Sequence, residues 1–149
     1  MTPLAQLLQN KVLWTTLLGW VIAQSVKVFL LVRNKRRFDI RWFVGTGGMP
    51  SAHSAGVSAL TMAVGFQVGF HTPAFAMSLM FAFVTMFDAQ GVRLAAGRQA
   101  VTLNRIIDDL YQKKPVTQER LKELLGHTPV EVFVGSALGS LVAVLLYRF

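Results

Sequence analysis

Cysteine is absent from the 149 residues, which excludes disulfides, thiolate metal ligands and a cysteine nucleophile. Charge is sparse, at 15% of residues, and acid is sparser still, with seven Asp and Glu against 15 Lys and Arg and a formal charge of +8. Such an excess of base suits nucleic acid or an anionic membrane surface. Between residues 93 and 125, however, the basic residues are not interleaved with stacking aromatics, so nucleic-acid binding is not expected. Basic clusters instead lie between apolar segments, the pattern of membrane topology and anionic headgroups. The first ten residues, MTPLAQLLQN, contain no basic residue. The apolar run after them is too long and too polar for a cleaved signal, so a retained membrane span is expected.

What the chain has in abundance is hydrophobic residues, 53% of the total, more than a soluble globule of this length carries. One domain is expected over residues 1–149, with the bilayer as its solvent. The fold class read from this is all-α: an integral membrane helical bundle of about four transmembrane helices with a short amphipathic cytoplasmic helical segment.

The most informative stretch is GTGGMPSAHSAGVS, residues 45–58. Gly45, Gly47 and Gly48 let the backbone approach a ligand, and Pro50 suits a first helical position because it lacks an amide hydrogen. Outward-pointing amides at the following helix start favour an anion, and His53 in the first turn could exchange a proton beside it. A plain loop-to-helix junction is the alternative reading of the local string.

Four apolar segments follow the requirement of about 20 residues per crossing. Residues 12–32 form the first span, interrupted by Gln24 and Lys27, which share a face because they are three apart. A lysine there either snorkels to the interface or faces a polar site; the Gln24 pairing favours the inward role. Residues 33–44 form a basic connector ending in the interfacial pair Trp42 and Phe43. The second span, 50–70, is rich in small residues that permit close helix packing. His71-Thr72-Pro73 is so short that the third span, 74–92, must return as a hairpin, with His71 an interfacial loop residue. Polarity then changes. Residues 93–125 read as the water-soluble segment, helical from Val92 through Ile106, with a turn at Lys113-Lys114-Pro115 and Thr117 capping a short helix to Leu125. The last span covers 129–147.

Residues 33–41 hold five Lys or Arg and residues 93–122 hold seven, whereas the opposite side has only Lys11 and Arg148. The positive-inside rule therefore assigns both connectors to the cytoplasm, as in a bacterial-type inner membrane, and places His53, Asp88, Arg93, His127 and Glu131 on that side.

Glu131 follows His127 by four residues, and its carboxylate could orient and strengthen the imidazole in the manner of nucleophilic or general-base histidines. The alternative is that Glu131 complements the helix start while His127 faces headgroups. A glutamate inside an apolar helix is costly without a partner, which favours the pair. His53, Asp88, His127 and Glu131 could also be considered as metal ligands, but no close ligand spacing is present, and Lys27, Arg93 and Arg98 would oppose a cation and suit an oxyanion. A site without metal or cofactor is expected.

GGMPSAHSAGVSAL, FDAQGVRLAAGRQAVTLN and LKELLGHTPVEVFVGSALG resemble the divergent branch of the type 2 phosphatidic acid phosphatase superfamily, distantly related to the vanadium-dependent haloperoxidases. The resemblance covers nearly the whole chain from about residue 12. It implies that His53 protonates a leaving group, that Ser51 with nearby amides such as that of Gly48 holds phosphate, and that His127 with Glu131 forms a phosphohistidine. It also implies that Lys27 or Arg33 replaces the family's Lys and Arg motif, and that Arg93 or Arg98 replaces its later arginine. Ala52 stands where the wider family has glycine, and Arg120 precedes His127 by seven residues instead of six.

The expected activity is thus metal-independent hydrolysis of a lipid phosphate or pyrophosphate, with a phosphorylated lipid headgroup as partner. The alternative is an inactive membrane protein that binds anionic lipid or phosphate for transport or complex assembly. Gly65 with Gly69 and Gly135 with Gly139 form two GxxxG pairs, which point either to a homodimer or to packing within the chain.

Overall fold

The computed structural model describes residues 2–43, 48–110 and 127–148. All regular structure among them is helical. A short helix α1 (Pro3–Leu8) precedes α2 (Lys11–Lys35), and a 3-10 turn at Ile40–Phe43 leads toward α3 (Ala52–Val68). A tight turn then starts α4 (Pro73–Phe87), a π-helical segment (Asp88–Val92) joins it to α5 (Arg93–Leu110), and α6 (Pro129–Arg148) closes the bundle. Asn10 and Thr72 cap α2 and α4 through their side chains, accepting from Leu13 N at 3.0 Å and Phe75 N at 3.3 Å.

Three helical stretches are long and apolar enough to cross a membrane: Lys11–Lys35, Pro73–Ile107 and Pro129–Arg148. Helix α3 has 17 residues, about 26 Å at the usual rise, and is enclosed by the others. Its buried positions are Ala52, Ser54, Ala55, Gly56, Ser58, Ala59, Thr61, Ala63 and Gly65, none larger than threonine. In lipid the hydrophobic effect does not drive helices together, so close backbone approach and interhelical hydrogen bonds do that work. Gly19 of α2 packs on Ala55 and Ala59, and Gly135 and Gly139 of α6 lie directly on the backbone at Ser51 and Ala55. Ser58 Oγ donates to Ser136 Oγ at 2.8 Å, and Thr61 Oγ1 to the Ser78 carbonyl at 3.1 Å.

Helix α4 turns most of its surface outward. Ala82 is its one buried residue, while Met77, Met80, Phe81, Val84 and Phe87 are exposed, as lipid contact requires.

The spans run up and down. At one end, Lys11 at the start of α2 lies 4.3 Å over the ring of Tyr147 near the end of α6, and Tyr147 donates to Gln67 near the end of α3. The starts of α3 and α6 and the end of α4 therefore gather at the other end, with the connector that follows α2.

One expectation changes. Helix α3 begins at Ala52 with Ser51 as its cap, so Pro50 precedes the cap instead of opening the helix. The third span and the helix expected from Val92 are continuous: the π-helical segment carries the chain into α5 without a break. The glycines of the last span seat α6 on α3, and Gly65 lies under the Phe70 ring, the packing within the chain that is one of the two readings of the GxxxG pairs. The turn and short helix expected at 113–125 lie outside the described residues.

Candidate functional site

The start of α3 is built by serine. Ser51 Oγ accepts from Ser54 N at 3.3 Å and from Ser54 Oγ at 3.0 Å, which satisfies one of the unpaired amides of the first turn. Ser51 is fully enclosed, and its own amide donates to the Glu131 carbonyl at 3.0 Å. Its hydroxyl, expected at an anion, thus serves as the helix cap. His53, the second residue of the helix, is half-buried.

The start of α6 is a capping box spelled Thr128-Pro129-Val130-Glu131. Glu131 N donates to Thr128 Oγ1 at 3.3 Å, and Thr128 N donates to Glu131 Oε2 at 3.0 Å. The same oxygen lies 3.1 Å from Nδ1 of His127. A carboxylate that already accepts an amide hydrogen at Oε2 is an acceptor toward the ring as well, so Nδ1 carries the hydrogen and donates; in the neutral ring the lone pair is then on Nε2. The two sequence readings of Glu131, helix complement and imidazole partner, are therefore one arrangement. His127 is buried, and its amide donates to the Ala89 carbonyl at 2.9 Å, within the π-helical segment. Such segments recur where a helix must offer its backbone to a site.

These two helix starts bring His53 and His127 together, with ring centroids 6.3 Å apart and planes tilted by 60°. Lys27 is buried in the neighbouring α2 and feels the opposite charge of Glu131. Its stem lies beside Gly48: a Cβ there would lie 3.7 Å from both Cγ and Cδ of Lys27. Gly48 itself has φ of +84°, a conformation side chains disfavour. One turn earlier on the same face, buried Gln24 donates to the carbonyls of Trp42 at 3.0 Å and Phe43 at 2.7 Å.

Arg33 does not join this group. It is exposed in the last turn of α2, where a cation suits the helix C-terminus. Asp88 opens the π-helical segment next to Ala89. The side chains of Arg93 and Arg98 lie outside the described residues. Among the described residues, no three His, Asp or Glu side chains gather as metal ligands.

Sequence reasoning overlooked Gln24 as a tether, Thr128 as a cap and the Ala89 carbonyl as a partner of His127. Only Thr128 had a local signal, since T-x-x-E ahead of an apolar run is a capping box. The other two depend on segments distant along the chain.

Known proteins resemble this chain along its length. The profile described as the Divergent PAP2 family matches residues 8–142. An uncharacterized membrane protein of Bacillus subtilis (strain 168), YuiD, is 39% identical over 155 residues, covering 97% of this chain and 98% of that protein. No solved structure matches. A helical membrane bundle and a membrane-protein relative agree in making this a membrane protein.

Proposed function

The chain belongs to the divergent PAP2 family, and from that membership and its paired imidazoles we propose a metal-independent membrane phosphatase acting on a lipid phosphate or pyrophosphate. The observation that carries this reading is the 6.3 Å separation of the His53 and His127 rings, close enough for one phosphoryl group to meet both. His127 Nε2 attacks phosphorus, the bond to the leaving oxygen breaks, and His53 gives that oxygen its proton. Water then attacks the phosphohistidine, His53 takes a proton from it, and inorganic phosphate leaves with His127 restored. Glu131 holds the ring in the reactive tautomer and balances the charge it gains. Lys27 and the turn at Gly48 face the phosphoryl oxygens.

The test is phosphate release from a panel of lipid phosphates in detergent with a chelator present, comparing wild type with His127→Ala and His53→Ala. The proposal expects a loss of about 10²-fold or more in each variant. Equal rates in all three would reject it, and lipid-phosphate binding without turnover would favour an anion-binding protein. We further propose that this end of the bundle faces the cytoplasm, following the positive-inside rule. Because the chain lacks cysteine, labelling of Phe38→Cys in intact cells by a membrane-impermeant maleimide would overturn that orientation.

A further inference from the structure

We infer that Gln24 is a positioning residue for the anion site, a role that rests on the function proposed above. Gln24 sits in the middle of a membrane helix yet is buried, and its amide nitrogen spends both hydrogens on two consecutive main-chain carbonyls, Trp42 O and Phe43 O. Those carbonyls belong to the short 3-10 turn that ends the basic connector. Gly48, five residues after Phe43, lies against the stem of Lys27. Helix α2 therefore meets Trp42 and Phe43 with Gln24 and Gly48 with Lys27, from neighbouring positions of one face.

The chemistry explains the residue type. Consecutive carbonyls at the end of a connector need donors, and a buried side chain beside them can supply two. A side-chain amide has two donor hydrogens on one nitrogen and carries no charge, so it bridges both carbonyls without adding a cation beside Lys27. A second, weaker hold comes from Lys35, whose Nζ lies 5.7 Å over the Trp42 ring. Among the described residues, Gln24 bonds to Trp42 and Phe43 and not to His53, His127 or Glu131. Its effect on substrate is expected to pass through the connector, which weakens phosphate binding when released and leaves the proton transfers between the imidazoles intact.

The experiment replaces Gln24 with methionine, which keeps the length and removes both donors. Two readouts are taken in full-length protein in detergent. The first uses the absence of native cysteine: the maleimide labelling rate of Phe43→Cys, with and without Gln24→Met, reports release of the connector. An acceleration of about tenfold is expected, and an unchanged rate overturns the tether whatever the protein does. The second is kinetic: KM for the lipid phosphate should rise about tenfold with kcat within about twofold of wild type. A fall in kcat at constant KM overturns the positioning role. If wild type turns over no lipid phosphate, the proposed function fails separately, and the inference is judged on protection of Phe43→Cys by inorganic phosphate. Protection at equal phosphate concentrations with and without Gln24→Met would then reject it.

Discussion

Gly135 lies on the backbone of Ser51. That contact, repeated one turn along where Gly139 lies on the Ala55 carbonyl, seats the helix that starts beside His127 directly on the helix that contains His53. The hydrogen bond from Ser51 N to the Glu131 carbonyl at 3.0 Å fixes the same pair of helices at their starts. The spacing of the two imidazoles is thereby set by main-chain packing, which has fewer ways to relax than side-chain packing.

A Cβ on either glycine would occupy the space of a carbonyl group, so α6 would have to move outward. Gly135→Ala and Gly139→Ala are each expected to destabilise the bundle by about 1–3 kcal/mol, the usual range for overpacking. Thermal unfolding in detergent measures this, and unchanged midpoints would contradict the packing. Gly91, with nothing within 4 Å of a Cβ, is the control position where alanine is accommodated.

Glu131 and Thr128 separate orientation from capping. Thr128→Ala removes one capping partner and should lower stability by about 1 kcal/mol while leaving most of the activity. Glu131→Gln keeps the size of the side chain but removes the charge opposite His127, and under the proposed mechanism lowers kcat by about 10²-fold or more with little change in KM. Parallel losses in both variants would mean that Glu131 acts only as a cap.

The turn at Gly48 has a positive φ and the Lys27 stem beside it. Gly48→Ala is strained there by about 1 kcal/mol. It should raise KM for the lipid phosphate more than it lowers the unfolding midpoint. Under the proposed mechanism Lys27→Met should raise KM by about tenfold or more, since it removes the buried cation assigned to the phosphoryl oxygens. A Lys27→Met enzyme with wild-type KM would exclude Lys27 from the phosphate site.

The hydroxyl pair Ser58 and Ser136, at 2.8 Å, is expected to contribute much less than the glycines. A double-mutant cycle to alanine in detergent should give a coupling of about 0.6 kcal/mol, typical of hydrogen bonds between membrane helices. A coupling above about 2 kcal/mol would shift the weight of α3–α6 association from packing to polar contacts.

Much of this was legible in the chain, for stated reasons. Apolar length identifies membrane spans because lipid requires every backbone group to be paired internally. The three-residue spacing of Gln24 and Lys27 put both on one face, and the short link at His71-Thr72-Pro73 required a hairpin. The same alternation brings the starts of α3 and α6 to one membrane face, and with them two histidines 74 positions apart. The polarity change at Arg93 marks a change of solvent preference and not a break in the backbone. The helix runs on through Asp88–Val92 regardless.

The sequence by itself determined the membrane solvent, the helical class and the alternation of the spans, since all of these follow from local hydropathy, spacing and charge. Only the tertiary structure decided that Ser51 caps a helix, that Glu131 serves His127 and Thr128 through one oxygen, and that the glycines of α6 rest on α3. Each of those outcomes is a choice among partners equally available to the residue type. Such choices are settled by which backbones approach closely enough to compete for the same donor, acceptor or volume.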